Sequence, residues 1–93
     1  MEANIAHIGR AGALESMDCL VSVTASDSGR KIEITGAAVS RFRAAMEQKI
    51  NDTLDSLGVT EPVLVNVHDN GALDVVLGAR VEVAYNRFRG CAK

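Results

Sequence analysis

An α+β domain of order β-β-α-β-α, with a small three-stranded sheet backed by two helices, is what three patterns in this sequence predict. Apolar and polar residues alternate over 17–24 and again over 63–68, which is the period of a half-buried strand. Between them, apolar residues recur in steps of three and four, the period of an amphipathic helix. A chain of 93 residues with 25 Leu, Ile, Val and Phe suits one domain, 1–93, with a thin core. At this size folding hides roughly 60–70% of the unfolded surface.

The elements follow in order. Residues 1–15 carry Gly9, Gly12 and scattered small side chains without periodicity, and read as a flexible lead-in. From Met17 the chain alternates: Met17, Cys19, Val21 and Val23 share one face, and Asp18, Leu20, Ser22 and Thr24 the other. Ser26-Asp27-Ser28-Gly29 is a turn cluster, and Lys31-Ile32-Glu33-Ile34-Thr35 alternates again, so the two strands are expected to pair as a hairpin. From Ala38 the stripe Val39, Phe42, Met46, Ile50, Leu54 and Leu57 predicts a helix. Gly58 stands where a left-handed residue ends it, and Pro62 blocks an early restart. Val63, Val65 and Val67 then mark a third strand. The last segment is open to two readings. Asn70-Gly71 is a hairpin signal and Val81-Glu82-Val83 a possible strand, yet Leu73, Val76, Leu77, Ala84, Tyr85 and Phe88 share one helical face. Asp74 near its start and Arg87 and Arg89 near its end suit the helix dipole, and the pattern favours helix.

Composition excludes several functions. A formal charge of −2, no Trp, one Tyr and two Phe give neither the basic footprint nor the stacking platform of a nucleic-acid binder. No apolar run approaches the ~20 residues of a membrane span. The start Met1-Glu2-Ala3-Asn4 lacks a signal pattern, so a cytoplasmic location is expected, with Cys19 and Cys91 as free thiols. His7, His68, Cys19 and Cys91 lack the paired spacing of a metal site. There is no Gly-x-Ser-x-Gly elbow, and Gly9-Arg10-Ala11-Gly12 lacks the lysine and spacing of a phosphate loop. No enzyme active site is expected.

Two serines stand in more telling contexts. Asp55-Ser56-Leu57 matches the Asp-Ser-Leu tripeptide of the common four-helix acyl carrier proteins, but there the serine opens a helix. Here the tripeptide closes one, and Ser56 reads as an ordinary helix end. The other string is Ala11-Gly12-Ala13-Leu14-Glu15-Ser16-Met17-Asp18, leading into a strand. With Asp69-Asn70-Gly71-Ala72-Leu73-Asp74 and Ala79-Arg80-Val81-Glu82, it resembles the acyl carrier (gamma) subunit of citrate lyase over Ala11 to Arg87. Met17 departs from that pattern, standing where small residues are common.

The resemblance implies a helix from Ala72 to Phe88 and a carrier rather than a catalyst. It implies a 2'-(5''-phosphoribosyl)-3'-dephospho-CoA arm joined to Ser16 by a phosphodiester, loaded with acetyl and citryl as thioesters. It also implies, as partners, the alpha (acyl transferase) and beta (lyase) subunits and a prosthetic-group transferase. Tethering raises the local concentration of the acyl group without a pocket in the carrier. The related carrier of malonate decarboxylase, with the same type of arm, and an unmodified interaction domain are the alternatives. Glu15 and Asp18 are given no catalytic role, and Arg80 and Glu82 read as a solvated helical face or docking residues.

Overall fold

A computed structural model describes residues 8–36 and 39–90. In chain order the elements are β1 (Gly9–Gly12), β2 (Asp18–Ala25), β3 (Lys31–Gly36), α1 (Val39–Ser56), β4 (Val63–Asn70) and α2 (Asp74–Phe88). The four strands form one sheet in the order β1-β2-β4-β3, with β1 and β4 antiparallel to β2, and β3 parallel to β4. Both helices cover the same face. There Cys19, Val21 and Val23 of β2 and Val63, Val65 and Val67 of β4 meet Ile50 and Leu54 of α1 and Leu77 and Val81 of α2. All ten side chains are fully or almost fully buried, each contributing about 1.5–3 kcal/mol where the chain is large and aliphatic.

The α+β class and both helices are as the sequence predicts, and the sheet has a fourth strand. That strand, β1, lies within the expected lead-in. Its small residues are an adaptation to close packing rather than a lack of pattern: Gly9 and Ala11 are buried and Arg10 and Gly12 exposed. A Cβ on Gly9 would stand 1.9 Å from the Ala84 carbonyl oxygen of α2, so only glycine lets strand and helix meet there. The Arg87 guanidinium adds a 2.7 Å hydrogen bond to the Arg10 carbonyl. Residues 1–7 of the expected lead-in lie outside the described residues.

The expected hairpin between the second and third elements does not form; β4 lies between β2 and β3. Arg30 is one physical reason. Its guanidinium reaches Asn51 Oδ1 and Asp55 Oδ1 at 3.0 Å and the Val59 carbonyl at 3.2 Å. These bonds carry the connection to the C-terminal end of α1 instead of back along β2. Stepping over one strand needs roughly 10 Å, well within reach of the five linking residues. The centre then falls to β4, whose valines bury one side completely, and the edge to β3, whose Lys31, Glu33 and Thr35 are exposed.

Gly58 ends α1 as expected, at φ 73°, with the Val59 N–H donating to the Leu54 carbonyl and Gly58 N–H to Asp55. Asn70-Gly71 turns β4 into α2 rather than into another strand. The Asp69 carboxylate accepts from the N–H groups of Gly71 (3.1 Å) and Ala72 (3.0 Å), an alternative to strand pairing that starts the turn. Two residues counted on the core stripes face outward. Phe42 is 50% exposed, its ring beside the Arg41 guanidinium, and Leu73 is 58% exposed, one residue ahead of α2.

Candidate functional site

Ser16 sits at the tip of the β1–β2 hairpin. Gly12 pairs with Leu20, and the Ala13 N–H donates to the Cys19 carbonyl (3.1 Å), which brings the two strands together below the loop. The Asp18 N–H then donates to the Glu15 carbonyl (3.1 Å), closing a four-residue turn with Ser16 and Met17 at its centre. Met17 adopts φ 62°, the left-handed conformation that this position of the turn demands and that glycine or asparagine meets more easily.

Asn70, at the end of β4, fixes the loop from outside. Its carbonyl accepts from the Met17 N–H (2.7 Å), and its side-chain amide donates to the Leu14 carbonyl (3.0 Å). Ser16 lies between these two anchors, exposed, and its hydroxyl has no hydrogen bond to a described residue. The serine is therefore presented by a pinned loop, not by a lead-in.

Behind the turn, Asp18 is held by two hydrogen bonds from Arg80 of α2, Nε to Oδ1 at 3.1 Å and a terminal nitrogen to Oδ2 at 2.9 Å. The Cys19 N–H also donates to Asp18 Oδ1 (2.7 Å). The Arg80 bonds, then the Cys19 N–H, lower the Asp18 carboxyl below its ordinary value. Asp18 thus ties the hairpin to α2 as an anion and is not disposed to accept a proton. Cys19 is buried, and burial, followed by the Asp18 and Asp69 carboxylates, pushes its thiol up to about 11. It packs as a small apolar group.

Of the remaining candidates, Glu15 belongs to the turn itself, whereas Ser56 is not brought to this end. Ser56 is exposed at the far end of α1, its hydroxyl donating to the Thr53 carbonyl at 2.8 Å. His68 is exposed and shares a 2.8 Å hydrogen bond with Thr35. Glu15 and Glu82 are exposed. Among the described residues no group of His, Cys, Asp and Glu gathers as a metal site, and no helix is long and apolar enough to cross a membrane. His7 and Cys91 lie outside the described residues. The part of Asn70 in holding the loop, and of Arg80 in holding Asp18, was not read from the sequence. The only signal was that both fall in strings accompanying the serine string.

Exposed apolar side chains surround the turn: Leu14 is 60% and Met17 64% exposed. Beside it, a cleft of about 300 Å³ opens between the first turns of both helices and the end of β4. Phe42, Ala45 and Met46 of α1 line it together with Ala72, Leu73, Asp69 and Asp74. Gly71 belongs to the cleft wall and abuts the turn: a Cβ on it would be 3.7 Å from the Met17 Cα.

Comparison with known proteins supplies a context for this geometry. The acyl carrier family model described as malonate decarboxylase delta subunit (MdcD) matches residues 7–88. Citrate lyase acyl carrier protein 2 of Salmonella typhi is 43% identical over 75 residues, 80% of this chain and 76% of its own length. The citrate lyase acyl carrier protein of Pectobacterium atrosepticum is 42% identical over 77 residues, 83% of this chain and 79% of its own. A chain in the crystal structure of a Pseudomonas malonate decarboxylase hetero-tetramer in complex with malonate superposes with a TM-score of 0.68. That chain is 22% identical, the match covers 89% of this chain and 87% of that one, and the likeness is one of fold.

Proposed function

The chain belongs to the acyl carrier protein family of citrate lyase and malonate decarboxylase, and on that premise we propose that Ser16 is the attachment point of its prosthetic arm. The chain is a carrier, and its reading here is the acyl carrier subunit of citrate lyase. The arm is 2'-(5''-phosphoribosyl)-3'-dephospho-CoA, joined through a phosphodiester to the Ser16 oxygen. When bound, it supplies a terminal thiol that holds acetyl or citryl as a thioester.

The residues present fit such a group. Ser16 is exposed and its hydroxyl spends no hydrogen bond on the described protein, which leaves it open to a transferase. Asn70 holds the backbone on both sides of it, which fixes the point from which the arm swings. The pairing of Asp18 with Arg80 neutralises one of the two acidic neighbours of the phosphodiester, leaving the exposed Glu15. The protein's contribution is thus attachment, reach and docking. Transferase and lyase chemistry fall to the alpha and beta subunits of a cytoplasmic multi-subunit complex.

One observation carries the choice of serine: the Ser16 hydroxyl is unbonded at a turn tip, whereas that of Ser56 is bonded to its own helix. The test is intact-protein mass spectrometry after incubation with the arm-forming and arm-transferring enzymes. The full mass gain is expected in the wild type and Ser56→Ala, and none in Ser16→Ala. A gain that survives Ser16→Ala overturns the assignment, and an unmodified wild type returns the chain to an interaction domain. The family description and the fold neighbour favour malonate decarboxylase as the second reading. Acetyl and malonyl, rather than acetyl and citryl, recovered from the loaded thiol would establish it.

A further inference from the structure

The cleft beside the Ser16 turn has a size, a lining and a position that the attachment chemistry does not use. Its volume of about 300 Å³ lies at the lower end of small-molecule sites, enough for one segment of an extended ligand but not for a whole nucleotide-bearing arm. Phe42, Ala45, Ala72 and Leu73 give it apolar walls, and the half-exposed Phe42 and Leu73 gain by being covered. Asp69 and Asp74, two acidic residues, belong to the same lining, the Asp69 carboxylate accepting from the Gly71 and Ala72 N–H groups. Apolar walls favour an uncharged group, and a guest that brings a carboxylate meets both desolvation and like-charge repulsion.

We infer that this cleft seats the thiol end of the arm while it carries acetyl, and rejects it when it carries an acyl group with free carboxylates. The inference rests on attachment of the arm at Ser16. Continuity then selects the occupant: Gly71 is at once cleft wall and neighbour of the Ser16 turn, so a long arm doubling back meets the cleft at high effective concentration. Acetyl thioester is small and uncharged, while citryl and malonyl groups are anionic. Exchange of acetyl for either one therefore expels the arm to the solvent and to the partner subunits, and return to acetyl shelters it again. The charge of the cargo alone sets the position of the arm.

The test uses the full chain carrying the arm, prepared as free thiol, acetyl thioester and malonyl thioester, with mass mapping of the arm as the first step. Amide NMR signals of Phe42, Ala45 and Leu73 are expected to agree between the uncharged free-thiol and acetyl forms and to differ from both in the malonyl form. If about nine-tenths of the acetyl arms are seated, hydroxylamine cleaves that thioester about tenfold more slowly than acetyl-CoA. The malonyl form is expected to react as fast as malonyl-CoA. Ala45→Trp, an exposed helix position that fills the cleft, is expected to abolish the protection. The wild-type spectra decide the matter even if that variant misfolds. An arm mapped to Ser16 with no shift at the cleft and no protection overturns the inference and leaves the attachment standing. An arm mapped elsewhere overturns the attachment first. Shifts that arise only on adding the partner subunits also overturn it, making the cleft a subunit-docking surface.

Discussion

The two ends of the sheet hold their serines in opposite ways. At the far end, Ser56 closes α1 with its hydroxyl bonded to Thr53, and the surroundings are cross-linked by polar side chains. Arg30 bridges Asn51, Asp55 and the Val59 carbonyl, and Glu61 accepts from Tyr85 (2.8 Å) and Arg89 (3.3 Å). At the near end, Ser16 projects with an unbonded hydroxyl from a turn held by the backbone and side chain of Asn70, amid exposed Leu14 and Met17 and beside an apolar cleft. A polar, satisfied end has nothing left to offer a partner. An end with a free hydroxyl and uncovered apolar side chains does. The contrast teaches that the surrounding hydrogen bonds, not the local string, separate an exposed serine with a free hydroxyl from one bonded to its own helix.

Changes at the two ends are therefore expected to have different consequences. The largest effect on folding is expected from Gly12→Val. Gly12 has φ 99°, and a Cβ there would stand 1.9 Å from the Cys19 carbonyl oxygen, so the hairpin must distort. A loss of about 1–3 kcal/mol is expected by urea unfolding, together with slower arm attachment, because the Ser16 turn moves with the strand. Next is Arg30→Ala, which removes three hydrogen bonds and strands the Val59 carbonyl. It is expected to cost about 1–2 kcal/mol by the same measurement while arm attachment proceeds at the wild-type rate. Equal loss of attachment in both variants would erase the distinction between the ends.

Titration sharpens the comparison further. The Asp18 carboxyl is lowered from 3.8, so the stability from its Arg80 bonds is present above that value and is lost as pH falls through the folded one. Acid titration followed by NMR is expected to loosen the Ser16 turn and the Arg80 signals, with the Arg30 cluster unaffected by this group. For Cys19 the sign reverses. Its folded value of about 11 exceeds the ordinary 9.0, so stability is held below pH 9.0 and drains as pH rises towards 11. At pH 8 the native thiol is expected to resist iodoacetamide and to react only on unfolding, as mass mapping of Cys19 would show. The smallest effect is expected for Met17→Gly. Relief of a left-handed side chain, about 1–2 kcal/mol, is nearly offset by the greater freedom of glycine in the unfolded chain, about 0.5–1 kcal/mol. A net gain of about 0.5 kcal/mol with attachment retained is expected. A large loss would mean that the Met17 side chain itself is needed at this surface.

Periodicity alone was enough for α1, with Gly58 as its stop, and for the alternating valines of β2 and β4. Each of these signals is local and repeats over several residues, so a two-residue or a 3.6-residue period reveals the buried face. The serine string and its two companions were also legible, as was the preference for a helix in the last segment. Three features were decided by contacts between distant parts of the chain. Strand β1 packs where α2 lies close enough to require Gly9, and a four-residue run with three small residues carries no period to announce that. The position of β4 between β2 and β3 follows where Arg30 finds its acceptors on α1, a long-range choice between two pairings that local alternation leaves equal. The geometry at Ser16 depends on Asn70, 54 residues further along the chain, whose two hydrogen bonds convert a glycine-bearing loop into a fixed platform. A residue's type shows which bonds it is able to make; only the folded chain decides which partner is near enough to make them.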